Sequence, residues 1–250
     1  MPDAPRDYRP APDSHAGRVI LVTGAGDGIG RAVALALARH GATVGLLGRT
    51  PRKLERTYDR IVADGGPQPA LLPFNLETAA APEYEALHDA LDREFGRLDG
   101  LAHVAGILGA RSPIEHYDVP TWCRVLHVNL TAAFILTRTL LPLLRRSTDA
   151  SVVFTSSGVG RQGRAHWGAY AVSKSGIEGL MQVLAHEMDG STKIRVNSLN
   201  PGPVRTAMRR AAYPAEDPSA LVDPEAVTPA FLHLLGPASA GVNGRAFDCQ

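Results

Sequence analysis

In the stretch "GAYAVSKSG" a tyrosine and a lysine, Tyr170 and Lys174, stand four residues apart. The surrounding pattern is helical, which puts both side chains on one face. A free phenol titrates near pH 10, so only ~0.1% is ionised at neutrality. An ammonium ~4 Å away stabilises the phenolate by roughly 4 kcal/mol at an effective dielectric of ~20, a shift of up to about three units. Such a pair can give and take a proton. Tyr-x3-Lys also arises by chance in amphipathic helices, so the pair needs company. Ser157 supplies it, closing the strand-like run "SVVFTSS". A hydroxyl at the end of a strand can bond a reacting oxygen, because strand ends line the ligand crevice of open α/β sheets. Ser156 is a rival by composition, and the spacing to Tyr170 selects Ser157.

A second chemistry sits near the start. "LVTGAGDGIGR", residues 21–31, carries Gly24, Gly26, Gly28 and Gly30 between an apolar run and a helical one. A diphosphate needs backbone N–H groups at close range and the positive end of a helix dipole. Side chains would block that approach, and φ > 0 favours glycine. The common G-x-G-x-x-G fingerprint does not fit, since it would require glycine at Ile29. What fits is Thr23-Gly24-x3-Gly28-x-Gly30. The next strand ends "LLGRT", with Arg49 where an acid would hold a ribose 2′-hydroxyl. Guanidinium pairs bidentately with phosphate, so Arg49 favours NADP(H) over NAD. Asp27 opposes it, a carboxylate inside the turn where a cation would suit a 2′-phosphate.

The elements that must position these residues alternate along the chain. "GRVILVTG", "ATVGLLG", "PALLPFNL", "LDGLAHVAG", "SVVFTSS", "KIRVNSLNPG" and "GRAFDCQ" read as seven strands. Helical stretches separate them, among them "VPTWCRVLHVNLTAAFILTRTLLPLLRRS" and "WGAYAVSKSGIEGLMQVLAHEM". Strand–helix alternation means right-handed crossovers and a doubly wound parallel sheet covered on both faces. Residues 1–17 hold four prolines and no periodicity, and are expected to be a loose or surface-wrapping tail. Residues 18–250 are expected to form one domain, with a short substrate lid around 203–224.

Length and composition set bounds. The chain has 250 residues, 44% hydrophobic and 20% charged, with net charge +1. Paired arginines at 145–146 and 209–210 are too short for a nucleic-acid stripe. No apolar run suggests a membrane span or signal peptide. Cys123 and Cys249 make no disulfide framework or metal spacing, and no metal is expected. A reducing cytoplasm is the expected location.

Together with "NPGPVRT" at 200–206, these motifs resemble the short-chain dehydrogenase/reductase family, from about Arg18 to Phe247. "VFTSS", "GRQGRAHWGAYAVSKSG" and "NPGPVRTAMR" are similar to a group of bacterial short-chain oxidoreductases of unsettled substrate. The resemblance implies a Rossmann-type sheet in the order 3-2-1-4-5-6-7 and an oxidoreductase that interconverts a carbonyl and a secondary alcohol by hydride transfer with NADP(H). It implies a catalytic set of Asn129, Ser157, Tyr170 and Lys174. Tyr170 is then the general acid/base. Asn129 kinks the long helix and holds a water between Lys174 and solvent, and Lys174 also bonds the nicotinamide ribose. Cofactor contacts are expected from Thr23, Gly24, Asp27, Gly28, Ile29, Gly30, Arg49, Asn75, Leu76, Ala105 and Gly106. Pro201 and Gly202 would flank the nicotinamide, with Val204 and Thr206 on its carboxamide. Gln162 and Trp167 are candidate substrate contacts. The two long apolar helices imply a homodimer or homotetramer.

Two departures stand out. "HVAG" at 103–106 replaces the family's N-N-A-G, which questions the polar ties between neighbouring strands. Asn75 replaces an aspartate at the adenine edge, where its carbonyl can still accept. His103 is read as a packed strand residue. A cofactor-binding regulator without chemistry is the alternative, disfavoured because it would have no need of Tyr170.

Overall fold

The computed structural model describes residues 7–190 and 193–250. Seven parallel strands form one sheet in the order β3-β2-β1-β4-β5-β6-β7. They are β1 Val19–Thr23, β2 Thr43–Gly48, β3 Ala70–Pro73, β4 Gly100–His103, β5 Ala150–Thr155, β6 Ile194–Asn200 and β7 Ala246–Asp248. The central strand β1 is buried throughout. Its side chains alternate between faces, as strand geometry requires. Ile20 and Val22 join Val33 and Leu37 of α1 (Gly28–Arg39) and Phe231 and Leu235 of α9 (Thr228–Leu235). Val19 and Leu21 join the other face, built from α3 (Ala81–Phe95), α5 (Ala132–Arg145) and α7 (Gly168–Met188). Helix α2 (Pro51–Ala63) packs on the first face through Leu54 and Ile61. Edge strand β3 keeps two of its four residues exposed.

The long apolar stretch expected to be one helix from 119 is interrupted. Helix α4 covers Val119–Leu126, a π turn follows at His127–Thr131, and α5 resumes at Ala132. The wider turn carries Asn129 into the interior, where it is 3% exposed. Inserted π turns of this kind commonly mark functional positions in helices. By length and composition alone, Val119–Arg145 could cross a membrane. In the fold, α5 instead buries Leu136, Leu140, Leu143 and Leu144 against the sheet.

Of the tail, residues 1–6 lie outside the described residues, and 7–17 lie against the domain, the surface-wrapping alternative. Tyr8 stacks edge-on against His233, and His15 is fully buried, with Nε2 bonded to the Leu232 carbonyl at 3.1 Å. A run without periodicity can still dock through single anchors. The segment 203–224 contains a short helix, α8 Ala207–Ala212. Thr206 caps it by accepting from the Arg209 amide at 3.1 Å.

Burial leaves a pH signature. The His15 ring is pushed down to about 4, chiefly by burial, and His103 to about 3, by burial and then by the charge of Lys174. Both rings titrate near 6.5 when unfolded, so the unfolded chain binds more protons below that pH. The stability they confer is complete above pH 6.5 and is lost as pH falls through about 4 and then about 3. At ~1.4 kcal/mol per pH unit, His15 alone is worth on the order of 3 kcal/mol. The urea midpoint should therefore fall clearly between pH 6.5 and 4, and fall less in His15→Gln. Equal acid sensitivity in that variant would contradict the assignment.

Candidate active site

The glycine turn joins β1 to α1, and its geometry explains its composition. Gly24 and Gly28 have φ of +71° and +48°. A Cβ on Gly30 would lie 2.3 Å from the Gly24 carbonyl oxygen, an impossible contact. Asp27 caps α1, its Oδ1 accepting from the Gly28 amide at 2.8 Å. Thr23 supplies the strand ties that "HVAG" lacks. Its hydroxyl donates to the Ala102 carbonyl (3.3 Å) and accepts from the amides of Val104 (2.9 Å) and Ala105 (3.0 Å). His103 is thereby released to pack. It stacks on Phe154 at 4.7 Å, and its Nε2 lies 2.8 Å from Thr137 Oγ1. Thr137 donates its own proton to the Ala133 carbonyl, so His103 Nε2 carries the hydrogen.

One cleft of about 550 Å³ runs along the carboxyl ends of the strands, from Arg49 to Tyr170. Gly24, Asp27, Gly28, Ile29, Gly30, Asn75, Leu76, Ala105, Gly106, Pro201, Gly202, Val204 and Thr206 all line it. Thr23 stands just beneath, buried. At the β2 end two ion pairs form the rim. Arg49, 67% exposed, lies 3.9 Å from Glu77, and Lys53 Nζ lies 2.5 Å from Asp27 Oδ2. Exposed pairs of this kind are worth about 0–1 kcal/mol, so either cation changes partner at small cost. The bond from Lys53 is the main reason the Asp27 carboxyl is held below its usual range. Asn75 Oδ1 accepts from the Glu77 amide at 3.1 Å, which leaves one lone pair and the amide group.

At the opposite end, β5 and α7 bring Ser157, Tyr170 and Lys174 together. Ser157 stands beside the Tyr170 hydroxyl and favours its ionised form. Ser156 also lines this end, its Oγ buried and without a hydrogen-bond partner. Lys174 Nζ donates to the Thr155 carbonyl at 2.7 Å and lies 5.7 Å from the Tyr170 ring centre. Asn129 stands one layer behind. Its Oδ1 accepts from the Ile107 amide at 2.8 Å, and its Nδ2 donates to the Ile107 carbonyl (2.9 Å) and to Ser173 Oγ (3.0 Å). Gly106 separates it from Lys174. A pocket of about 10 Å³, close to what one water needs, adjoins Asn129, Thr155 and Lys174.

The electrostatics correct one expectation. Burial holds the Tyr170 phenol above its ordinary value, with the neighbouring Ser157 opposing. Lys174 is itself pushed down to about 8 by burial, against the pull of Glu178. The helical spacing does place amine and phenol on one face, and burial is the largest influence on each.

Trp167, a candidate from the sequence, is buried and lines this end of the cleft, which Leu108, Met208 and Ala212 also line. Arg111 lies over the rings of Trp167 (4.9 Å) and Tyr213 (4.8 Å) and donates to the Ala212 carbonyl, fastening the lid. No local pattern announces Arg111, whose partners are distant in sequence. Gln162 is a correction. It ends the short helix α6 (Gly158–Arg161), is exposed, and lies outside the cleft lining. Its backbone amide ends that helix by donating to the Gly158 carbonyl at 3.0 Å.

The fit to a dinucleotide is physical. The turn is too tightly folded for any Cβ at Gly30, and Thr155 Oγ1 and Ser156 Oγ are buried, unpartnered polar atoms at the opposite end. A family model for short chain dehydrogenases matches residues 18–217. An uncharacterized Escherichia coli oxidoreductase, YciK, is 47% identical over 97% of this chain and 96% of its own. A solved Pseudomonas syringae chain, described as a candidate short chain dehydrogenase, is 54% identical with a TM-score of 0.96, covering 98% of this chain and 99% of that one. A Shigella flexneri relative solved as a complex with NADP is 46% identical with a TM-score of 0.94, covering 96% of this chain and 100% of that one.

Proposed function

The chain belongs to the short-chain dehydrogenase family, and on that premise we propose that it is an NADP(H)-dependent oxidoreductase interconverting a carbonyl and a secondary alcohol. The observation that carries the reading is one continuous cleft with a side-chain-free turn and paired cations at one end and Ser157, Tyr170 and Lys174 at the other. The NADP complex of the Shigella flexneri relative supports the choice of cofactor.

The glycine turn and the α1 N-terminus hold the diphosphate, and Arg49 the 2′-phosphate. Asn75 and Leu76 border the adenine, Ala105 and Gly106 lie against the ribose side, and Pro201, Gly202, Val204 and Thr206 flank the nicotinamide. The bound nicotinamide supplies hydride transfer. Ser157 Oγ polarises the substrate oxygen, and the Tyr170 hydroxyl gives that oxygen a proton. A phenol kept protonated by burial suits this donation. Lys174 Nζ bonds the ribose and carries charge beside the phenol. Asn129 holds the loop at Ile107 and, through the small pocket behind it, a proton path from Lys174 to solvent. Trp167 forms a substrate wall. We assign the protein to the cytoplasm.

The test is a panel of carbonyl compounds and alcohols assayed with NADPH and NADH. Turnover faster with NADPH than NADH on at least one compound supports the reading. Tight NADPH binding without turnover on a broad panel contradicts it and favours a regulatory role.

Assembly is part of the proposal. Phe134 on α5 and Val172 and Val183 on α7 are 47%, 46% and 58% exposed, large apolar groups on neighbouring helices. A homodimer or homotetramer covers them. Sedimentation at micromolar concentration should show that assembly in the wild type and a smaller species in Phe134→Asp. A monomeric wild type would rule it out.

A further inference from the structure

Asp27 and Lys53 pose a problem for a turn that receives NADP(H). A carboxylate at the mouth of the turn repels a 2′-phosphate, yet Arg49 beside it attracts one. Lys53 resolves the conflict. It sits in the first turn of α2, four residues beyond Arg49, and both side chains line the same end of the cleft. An added Cβ on Gly26 would lie 2.8 Å from Lys53 Cβ, so the lysine rests against the glycine turn itself. Thr57, one helical turn further, fastens α2 to that turn by donating to the Ala25 carbonyl at 3.0 Å. With the stem held there, Nζ reaches Asp27 Oδ2 at 2.5 Å while Oδ1 caps α1. The ammonium therefore overhangs the rim between the turn and the end of β2, where an adenosine ribose presents its 2′ position.

We propose that Lys53, held over the cleft by Asp27, is a specificity-determining cation that binds the 2′-phosphate of NADP(H) together with Arg49. The inference rests on the NADP(H) reading above and adds to it the residue that reconciles Asp27 with that cofactor. Asp27 is a tether and a charge partner rather than a discriminator against phosphate. Arg49 alone is weakly placed for the task, since Glu77, its partner at 3.9 Å, also lies 4.0 Å from Arg124. A dianionic phosphate draws both cations from singly charged partners, and a 2′-hydroxyl does not.

The experiment uses two probes without a nicotinamide, 2′,5′-ADP and 5′-ADP, titrated calorimetrically into the full-length protein. Wild type should bind 2′,5′-ADP more tightly. Lys53→Met should weaken 2′,5′-ADP at least tenfold and change 5′-ADP less than twofold. Lys53→Arg should restore most of the preference. Circular dichroism confirms that each variant is folded. Full preference retained in Lys53→Met, or equal weakening of both probes, overturns the inference and leaves the cofactor reading standing. A wild type that binds both probes alike contradicts the cofactor reading itself.

Discussion

Tyr170→Phe should bind NADPH as wild type does and lose turnover by roughly 10²- to 10⁴-fold, the range attributed to a general acid or base. The substitution removes one oxygen. The ring keeps its place in the cluster of Val159, Trp167 and Ala171, so the fold and the cleft persist. What is lost is the hydroxyl beside Ser157 that would donate the proton. Steady-state kinetics beside a fluorescence titration of NADPH separate the two effects. Turnover within tenfold of wild type would move the proton to another group.

Gly30→Ala should abolish measurable NADPH binding, a weakening of at least 100-fold. The methyl group would stand 2.3 Å from the Gly24 carbonyl oxygen and 2.7 Å from its carbon, both rigid backbone. The turn must open or α1 must shift, and either displaces the amides that receive the diphosphate. Overpacking of this kind also costs stability, typically 1–3 kcal/mol. Gly163→Ala is the control, because an added Cβ there meets nothing within 4 Å. NADPH binding by Gly30→Ala equal to wild type would show that the turn does not hold the cofactor.

The parts of this molecule that are legible in sequence are those set by local physics. Burial on both faces makes β1, β2 and β5 continuous apolar runs, and the sheet follows from their alternation with helices. The glycine turn is equally legible, since Gly24 and Gly28 take positive φ and Gly30 answers a contact within the turn itself. Ser157, Tyr170 and Lys174 are readable because strand end and helical spacing bring them together. Long-range arrangements are not readable in this way. Asp27 looks hostile to a phosphate until Lys53, 26 positions on, is seen to hold it. Arg111 lies in a loop, and only folding places it between Trp167 and Tyr213. The tail from residue 7 has no pattern, yet His15 is fully buried. The Tyr170–Lys174 pair shows the limit within a single motif. Spacing gives the neighbours, and the depth of burial decides which way each titrates.

The most direct test of the account follows an atom. Wild-type protein, NADPH carrying deuterium at nicotinamide C4, and a carbonyl compound turned over in the panel are incubated in ordinary water. The alcohol is then examined by mass spectrometry and NMR. With the label on the transferred face, the account predicts deuterium on the carbinol carbon and ordinary hydrogen on its oxygen. An alcohol without carbon-bound deuterium from either labelled face would contradict it.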